Sequence, residues 1–203
     1  MTHVTELPAV TAVITMRVQD FDGWRTKFEA TAHLRKEAGF LAHHLCRSAA
    51  DPSVVYLILH ASDRARADRF LNDPALTERA RSAGATDATS YFVVPQERNI
   101  LKGGGPRAAA IVSHDVEDYD RWKSAFDAGA QVRLRATIVG HSVNRSATEP
   151  NKVVSFFQAD SAESLKALLQ SDDLRAAMKK AGVTSGPEVT LLTDTGHGAS
   201  YVS

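Results

Sequence analysis

Apolar positions along the chain switch between the period of a strand and the period of a helix, and they do so twice in the same order. AVITMRV (12–18) is a short β-branched run and reads as a strand. Trp24, Phe28, Ala32 and Arg35 then recur at helical spacing, in a helix that Asp20 or Asp22 caps and Gly39 stops. FLAHHLCRS (40–48) and VVYLILHA (54–61) flank the turn residues Asp51 and Pro52 and form a hairpin. A second helical stretch, ARADRFLNDPALTERARSAG, breaks or restarts at Asp73-Pro74, and SYFVV (90–94) is the closing strand.

Residues 12–94 lie without a gap on residues 110–192, and about a quarter of the paired positions are identical, which marks a duplicated domain. DFDGWRTKFEA (20–30) falls on DYDRWKSAFDA (118–128), and HHLCRSAADPSVV (43–55) on HSVNRSATEPNKV (141–153). In the second copy the helix carries Trp122, Phe126, Ala130 and Arg133 behind Asp118 or Asp120. The hairpin turn is TEPN (148–151), and the last strand is EVTLL (188–192).

Each copy therefore reads strand, helix, strand, strand, helix, strand: an α+β, ferredoxin-like βαββαβ repeat with both helices on one face of an antiparallel sheet. β-Branched residues on both faces of that sheet disfavour leaving one in water. The economical arrangement packs the two repeats sheet to sheet into an intrachain pseudo-dimeric α+β barrel with a pocket inside. The expected boundaries are a flexible N-terminus at 1–9, a first repeat at 10–95, a linker at 96–107 with glycines at 103–105, a second repeat at 108–193 and a flexible tail at 194–203. Tyr201 and His197 in that tail are placed to fold over a pocket mouth.

Composition narrows the functional classes. Lys and Arg number 24 and so do Asp and Glu, so no net charge favours nucleic acid or an anionic membrane surface. The one cysteine, Cys46, excludes an intrachain disulfide, and no apolar run is long enough to span a bilayer. The start, MTHVTELP, lacks the basic and apolar regions of a signal peptide, and a cytoplasmic location is expected. GGG is followed by proline and a strand, which makes it a linker and not a phosphate loop.

GFLAHHLCRSAADPSVVYLILHASD (39–63) resembles the stretch common in the dimeric α+β barrel superfamily, in particular the antibiotic biosynthesis monooxygenase family. There, Gly-Phe opens the second strand, and a polar Arg-Ser and an Asp-Pro turn precede the third. IVGHSVNRSATEPNKVVSFFQAD (138–160) is a weaker match. The resemblance implies a fused tandem of what are usually two paired chains. It also implies one of several chemistries: cofactor-independent oxygenation of aromatic polyketides, cyclisation or haem degradation. The interior histidine, asparagine and tryptophan of the polyketide oxygenases fall here on Cys46, Tyr56 and His60.

Alternation along the hairpin separates two sets of residues. Leu41, His43, Leu45 and Arg47, matched by Val139, His141, Val143 and Arg145, share the face expected under the helices. His43 and His141 agree between copies and read as architectural, each bonded to a helix or loop. Trp24 and Trp122 read as core, and Arg47 and Arg145 as holding the hairpin turn.

His44, Cys46, Tyr56, Ile58 and His60 share the other face, matched by Ser142, Asn144, Val154, Phe156 and Gln158. Positions that differ between copies mark where one asymmetric pocket would be made. His44 and His60 are the expected general bases, since a neutral imidazole takes a phenolic or α-carbonyl proton near neutral pH. Tyr56 supplies a catalytic hydroxyl, and Asn144 orients a substrate oxygen. Cys46, His114, Phe156 and Gln158 complete the expected substrate contacts. The plain alternative for each is a surface histidine or a satisfied core side chain.

His43 and His44, adjacent in a strand, point oppositely, and no carboxylate spacing supports a metal motif. The expected enzyme needs no cofactor, a haem on His33, His44, His60 or His114 being the other option. Its expected partners are a small-molecule substrate and, as a homodimer, a second copy of the chain. A non-catalytic ligand-binding protein is the alternative.

Overall fold

The computed structural model describes residues 7–100 and 107–202 and divides them into two compact units. The expected glycine linker at 103–105, and most of the expected N-terminal segment, lie outside the described residues.

The first unit holds β1 (Val10–Val18), α1 (Phe21–Ala30), α2 (Ala32–Glu37), β2 (Phe40–Ser48), β3 (Val54–Ala61), α3 (Arg64–Leu71), α4 (Pro74–Ser82) and most of β4 (Ala85–Asn99). β1 pairs antiparallel with both β3 and β4, and β2 pairs with β3, giving the order β4-β1-β3-β2. The second unit holds β5 (Ala108–Asp115), α5 (Tyr119–Ala128), α6 (Ala130–Arg135), β6 (Ile138–Ser146), β7 (Lys152–Ala159), α7 (Ala162–Gln170), α8 (Asp172–Lys180) and most of β8 (Glu188–Ser200). Its order is β8-β5-β7-β6, again antiparallel throughout. Mixed α+β architecture with the ferredoxin-like element order is thus found in each unit.

Local chemistry accounts for the ends of the helices. Asp20 accepts from the Gly23 amide to start α1, and Asp118 from the Arg121 amide to start α5; the neighbouring Asp22 and Asp120 are not the caps. Asp73 caps α4, with Pro74 supplying the first helical residue, where its missing N–H costs nothing. The first helix, expected to be continuous, breaks at Thr31, which leaves helical geometry (φ −99°, ψ 20°) and donates its hydroxyl hydrogen to the Phe28 carbonyl. Gly39, at φ 85°, stops α2 in a conformation that side chains other than glycine rarely adopt.

Alternate sheet residues lie beneath the helices. In the first unit Val10, Ala12, Ile14, Met16 and Val18 of β1 join Val55, Leu57, Leu59 and Ala61 of β3, and Trp24 packs on them at 3% exposure. In the second unit Trp122, Val116, Val143, Val153 and Ala181 form one cluster, and Ala110, Val112, Ile138, Ala159 and Leu165 another. Each Leu-sized side chain so buried contributes about 2 kcal/mol. Arg47 and Arg145 donate from Nε to the carbonyls of Pro52 and Pro150, holding the two hairpin turns.

The sequence-expected boundaries shift at both long strands. β4 runs on through residues 96–99, read from sequence as linker, and its segment from Pro95 onward belongs to the second unit. There Glu97 accepts from Lys123 and pairs with His141, contacts that no linker composition reveals. β8 likewise runs to Ser200, through the expected flexible tail, and the residues from His197 onward belong to the first unit. Tyr201 is 7% exposed, and its amide donates to the Leu41 carbonyl at 2.8 Å. The small residues of that tail serve close packing: a Cβ at Gly198 would stand 2.8 Å from the His43 carbonyl oxygen. Among the described residues, no helix is long and apolar enough to cross a membrane.

Candidate functional site

The face of the first sheet turned away from its helices carries three cross-strand rungs. Thr11 and Ala42 flank His60, Val13 and His44 flank Ile58, and Thr15 and Cys46 flank Tyr56. His44, Cys46, Tyr56 and His60 therefore share a face, as the alternation requires. His44 and His60 are diagonal neighbours and not directly opposed, which sets their Cα atoms about 7–8 Å apart. Thr11 Oγ1 and Nδ1 of His60 are joined by a hydrogen bond of 2.8 Å, so one ring nitrogen of this buried imidazole is engaged within the sheet. Cys46 is fully buried.

The second unit repeats the rungs with other chemistry: Ala109 and Gly140 flank Gln158, Ile111 and Ser142 flank Phe156, and Ser113 and Asn144 flank Val154. Asn144 donates from Nδ2 to the Val154 carbonyl (2.9 Å) and to Ser142 Oγ (3.1 Å). Gln158 is fully buried and donates to Oδ2 of Asp194, itself 3% exposed, while Oδ1 of Asp194 accepts from the Gly196 amide. His114, expected among the substrate contacts, is not on this face. It lies under the helices with its ring 5.5 Å from that of Trp122, because its strand parity matches Val112 and Val116 and not Ile111.

His114 has a further distinction. Both its ring nitrogens are buried without a hydrogen-bond partner among the described residues, and burial holds its pKa down at about 4. The equivalent position in the first repeat is Met16.

The first unit also contains a cavity of about 970 Å³, and it lies on the helix side of the sheet, opposite the face where the sequence placed a pocket. Its inner wall is apolar, with Met16, Trp24, Phe28, Leu57, Leu59 and Phe70, and its open rim is polar, with Glu78, Arg81 and Asp87. The cavity is the space between α1–α2 and α3–α4 over the sheet floor, with α4 contributing Ala80 and its C-cap Ala83.

One buried cation borders that apolar space. Arg35 of α2 is 4% exposed and lines the cavity, its guanidinium 3.6 Å from the centre of the Phe28 ring. Nε donates to the Tyr201 hydroxyl (2.5 Å), Nη1 to Thr31 Oγ1 (3.2 Å) and Nη2 to the Phe28 carbonyl (2.7 Å). The Tyr201 hydroxyl donates in turn to Nδ1 of His43 at 2.6 Å. Burial, and then the Arg35 charge, lower the His43 pKa to about 4, so this imidazole is a neutral acceptor at pH 7. Burial likewise raises the Tyr201 phenol and keeps it protonated.

His43 and His141 are thus held by the ends of the two long strands, not by the helix or loop expected. In the second unit the corresponding cation, Arg133, sits over Phe126 at 3.7 Å and donates to the Phe126 carbonyl; burial lowers its pKa against the opposing fields of Asp127 and Glu97. Arg35 was visible in the sequence as a charged residue on an apolar stripe; its partner Tyr201 was not, because nothing local announces a contact 166 residues away.

The histidines named as haem ligands do not line the cavity. His44 and His60 lie on the opposite sheet face, His33 is exposed, and His114 belongs to the second unit. With no imidazole among its lining residues, the cavity does not fit a histidine-ligated haem.

No family model matches the chain, and no curated protein sequence matches it. Solved structures do. An anthrone oxidase-like protein matches with a TM-score of 0.66 at 13% identity, over 95% of this chain and 93% of that one. A ferredoxin fold protein related to antibiotic biosynthesis monooxygenases, from Listeria monocytogenes, matches with a TM-score of 0.53 at 11% identity, over 92% and 95%. A variant of chlorite dismutase from Candidatus Nitrospira defluvii matches with a TM-score of 0.52 at 16% identity, over 93% and 92%. Along nearly its whole length the chain shares its fold with these three proteins.

Proposed function

We propose that this chain is a small-molecule enzyme of monooxygenase type, a fused counterpart of the paired chains of the dimeric α+β barrel superfamily, acting on a bulky, largely apolar aromatic substrate. The observation that carries the reading is the cavity of about 970 Å³ under the helices of the first unit, walled by Trp24, Phe28, Phe70, Leu57 and Leu59. A space of that size and character suits a fused-ring molecule of polyketide type. The likeness in fold to an anthrone oxidase-like protein supports the same substrate class.

The chemistry asked of such an enzyme is modest. An anthrone-type substrate has an acidic CH2 group; loss of one proton leaves a carbanion that passes electrons to dioxygen without a cofactor. A C–O bond forms at that carbon, the O–O bond breaks, and the second oxygen leaves as water with the two hydrogens of the CH2. The substrate loses four electrons and dioxygen gains four, so no external reductant enters. The protein's part is to hold the substrate, exclude bulk water and stabilise the developing charge. In a second reading the substrate lies on the opposite face of the first sheet, where His44 and His60 are the proposed bases and Tyr56 and Cys46 the proposed contacts.

Oxygen uptake and quinone absorbance with anthrone as the probe test the reading. Wild-type protein is expected to accelerate both over the buffer rate. Ala80→Trp, which fills the cavity from a half-buried position of α4, is expected to abolish the acceleration while leaving the fold intact. Acceleration that survives Ala80→Trp overturns the site. Binding of anthrone without oxygen uptake turns the assignment to a ligand-binding protein.

A further inference from the structure

Arg35 is a buried charge whose described partners are all neutral. The guanidinium has five N–H donors, of which Tyr201, Thr31 and the Phe28 carbonyl take three. Among the described residues no carboxylate forms an ion pair with it; Glu29, the acidic group whose field it feels, is paired with Arg25. The two carboxylates of the lining are engaged in exposed pairs, Glu78 with Arg81 and Asp87 with Arg17. A guanidinium at 4% exposure beside apolar walls is a costly arrangement unless a counter-charge arrives from outside the chain.

The position is also fixed before any ligand enters. The guanidinium carbon lies over the Phe28 ring, and hydrogen bonds to Tyr201, Thr31 and the Phe28 carbonyl fix the group, so the remaining N–H groups have a set direction. A planar oxyanion is the geometric complement of such a fork. In the second unit the matching Arg133 is only half-buried and feels two carboxylates, Asp127 and Glu97, both paired with Lys123, so the more deeply buried of the two cations is Arg35.

We propose that Arg35 anchors a delocalised oxyanion, carried as a carboxylate or a phenolate on an otherwise apolar aromatic ligand, in the helix-side cavity of the first unit. This rests on the cavity reading of the proposed function and adds to it the charge of the ligand. Arg35 is a binding residue in this proposal, and stabilising a phenolate there would also raise the electron density of a bound ring.

The test uses the full chain at pH 7 and three aromatic probes: anthracene-9-carboxylate, its neutral amide anthracene-9-carboxamide, and 2-naphthol. By fluorescence titration the carboxylate is expected to bind about tenfold more tightly than the amide, the usual advantage of one charge-assisted pair. Bound 2-naphthol is expected to ionise about one pH unit lower than free 2-naphthol, read by its absorbance. Preference for the carboxylate without the naphthol shift assigns the oxyanion as a carboxylate; the naphthol shift without carboxylate preference assigns it as a phenolate. Arg35→Lys is expected to keep part of the preference, and Arg35→Met to erase it with the amide still bound.

Equal affinity for carboxylate and amide together with an unshifted naphthol, in the wild-type chain, overturns the proposal without recourse to a variant that fails to fold. In that outcome the cavity itself stands, because the amide binds. If no probe binds, the cavity reading and this inference fall together. A preference that persists in Arg35→Met assigns the anion to another cation and also overturns it.

Discussion

Tyr201 reaches back to His43 across most of the chain, its hydroxyl donating to Nδ1 over 2.6 Å while Arg35 donates to the same oxygen from the other side. One phenol thereby satisfies a buried imidazole and a buried guanidinium. Tyr201→Phe keeps the ring and removes both bonds, so a loss of about 1–3 kcal/mol is expected. Urea unfolding monitored by tryptophan fluorescence measures it; an unchanged midpoint would show that Arg35 and His43 find other partners.

Two histidines carry pKa values lowered by burial, from 6.5 to about 4 at His43 and at His114. The unfolded chain binds protons at these groups near pH 6.5, whereas the folded chain resists until about pH 4. Their contribution to stability is therefore fully present above pH 6.5, is lost as pH falls through that window, and levels off below it. Together they are expected to cost the fold on the order of a few kcal/mol by pH 4. Unfolding curves at intervals from pH 7.5 to pH 4 would reveal the slope, and a flat profile would refute it.

Replacing His114 by the residue of the other repeat, His114→Met, removes a buried imidazole whose two nitrogens have no partner among the described residues. The variant is expected to be more stable by about 1–2 kcal/mol at pH 7. It should also reduce the acid sensitivity just described. A destabilised variant would mean that the imidazole makes a contact that methionine cannot replace.

Gly198 approaches the His43 carbonyl so closely that a methyl group there would stand 2.8 Å from the oxygen. Gly198→Ala is expected to displace the end of β8 and to cost roughly 1–3 kcal/mol. Hydrogen exchange supplies the sharper readout: the Tyr201 amide, bonded to the Leu41 carbonyl, should lose protection in the variant and keep it in the parent.

The two faces of the first sheet make opposite demands on mutagenesis. Chemistry in the helix-side cavity predicts that the double variant His44→Ala, His60→Ala keeps its kcat within about threefold, since neither lines that space. A fall of a hundredfold or more with the melting temperature held would instead assign the base to the opposite face. Steady-state oxygen uptake with anthrone decides between them.

Much of the architecture could be read from residue periodicity, because caps, turns and face alternation are local. Asp20 and Asp118, the Pro52 and Pro150 turns, and the split of His43 from His44 all follow from neighbours in sequence. The site was less legible for a physical reason. A cavity is what side chains fail to fill, and the gap between α1–α2 and α3–α4 depends on how two helix pairs lean on a sheet, which no spacing encodes. His114 shows the same limit on a smaller scale: its disagreement with Met16 marked it as functional, while its strand parity had already assigned it to the helix side. The glycines and serine of the last strand were misread because small residues signal mobility and close packing alike, and only the contact with His43 separates the two.

That last strand also sets an order on biogenesis. The residues of the first unit run to Val94 and resume only at His197, so the amino-terminal half leaves the ribosome with Arg35 and His43 still lacking their phenol. The second unit, continuous from Pro95 to Gly196, has no such wait. A chain built this way cannot mature from its N-terminus forward. The half synthesised first is the half completed last, and a cut at the sequence midpoint would sever a part from the unit that owns it.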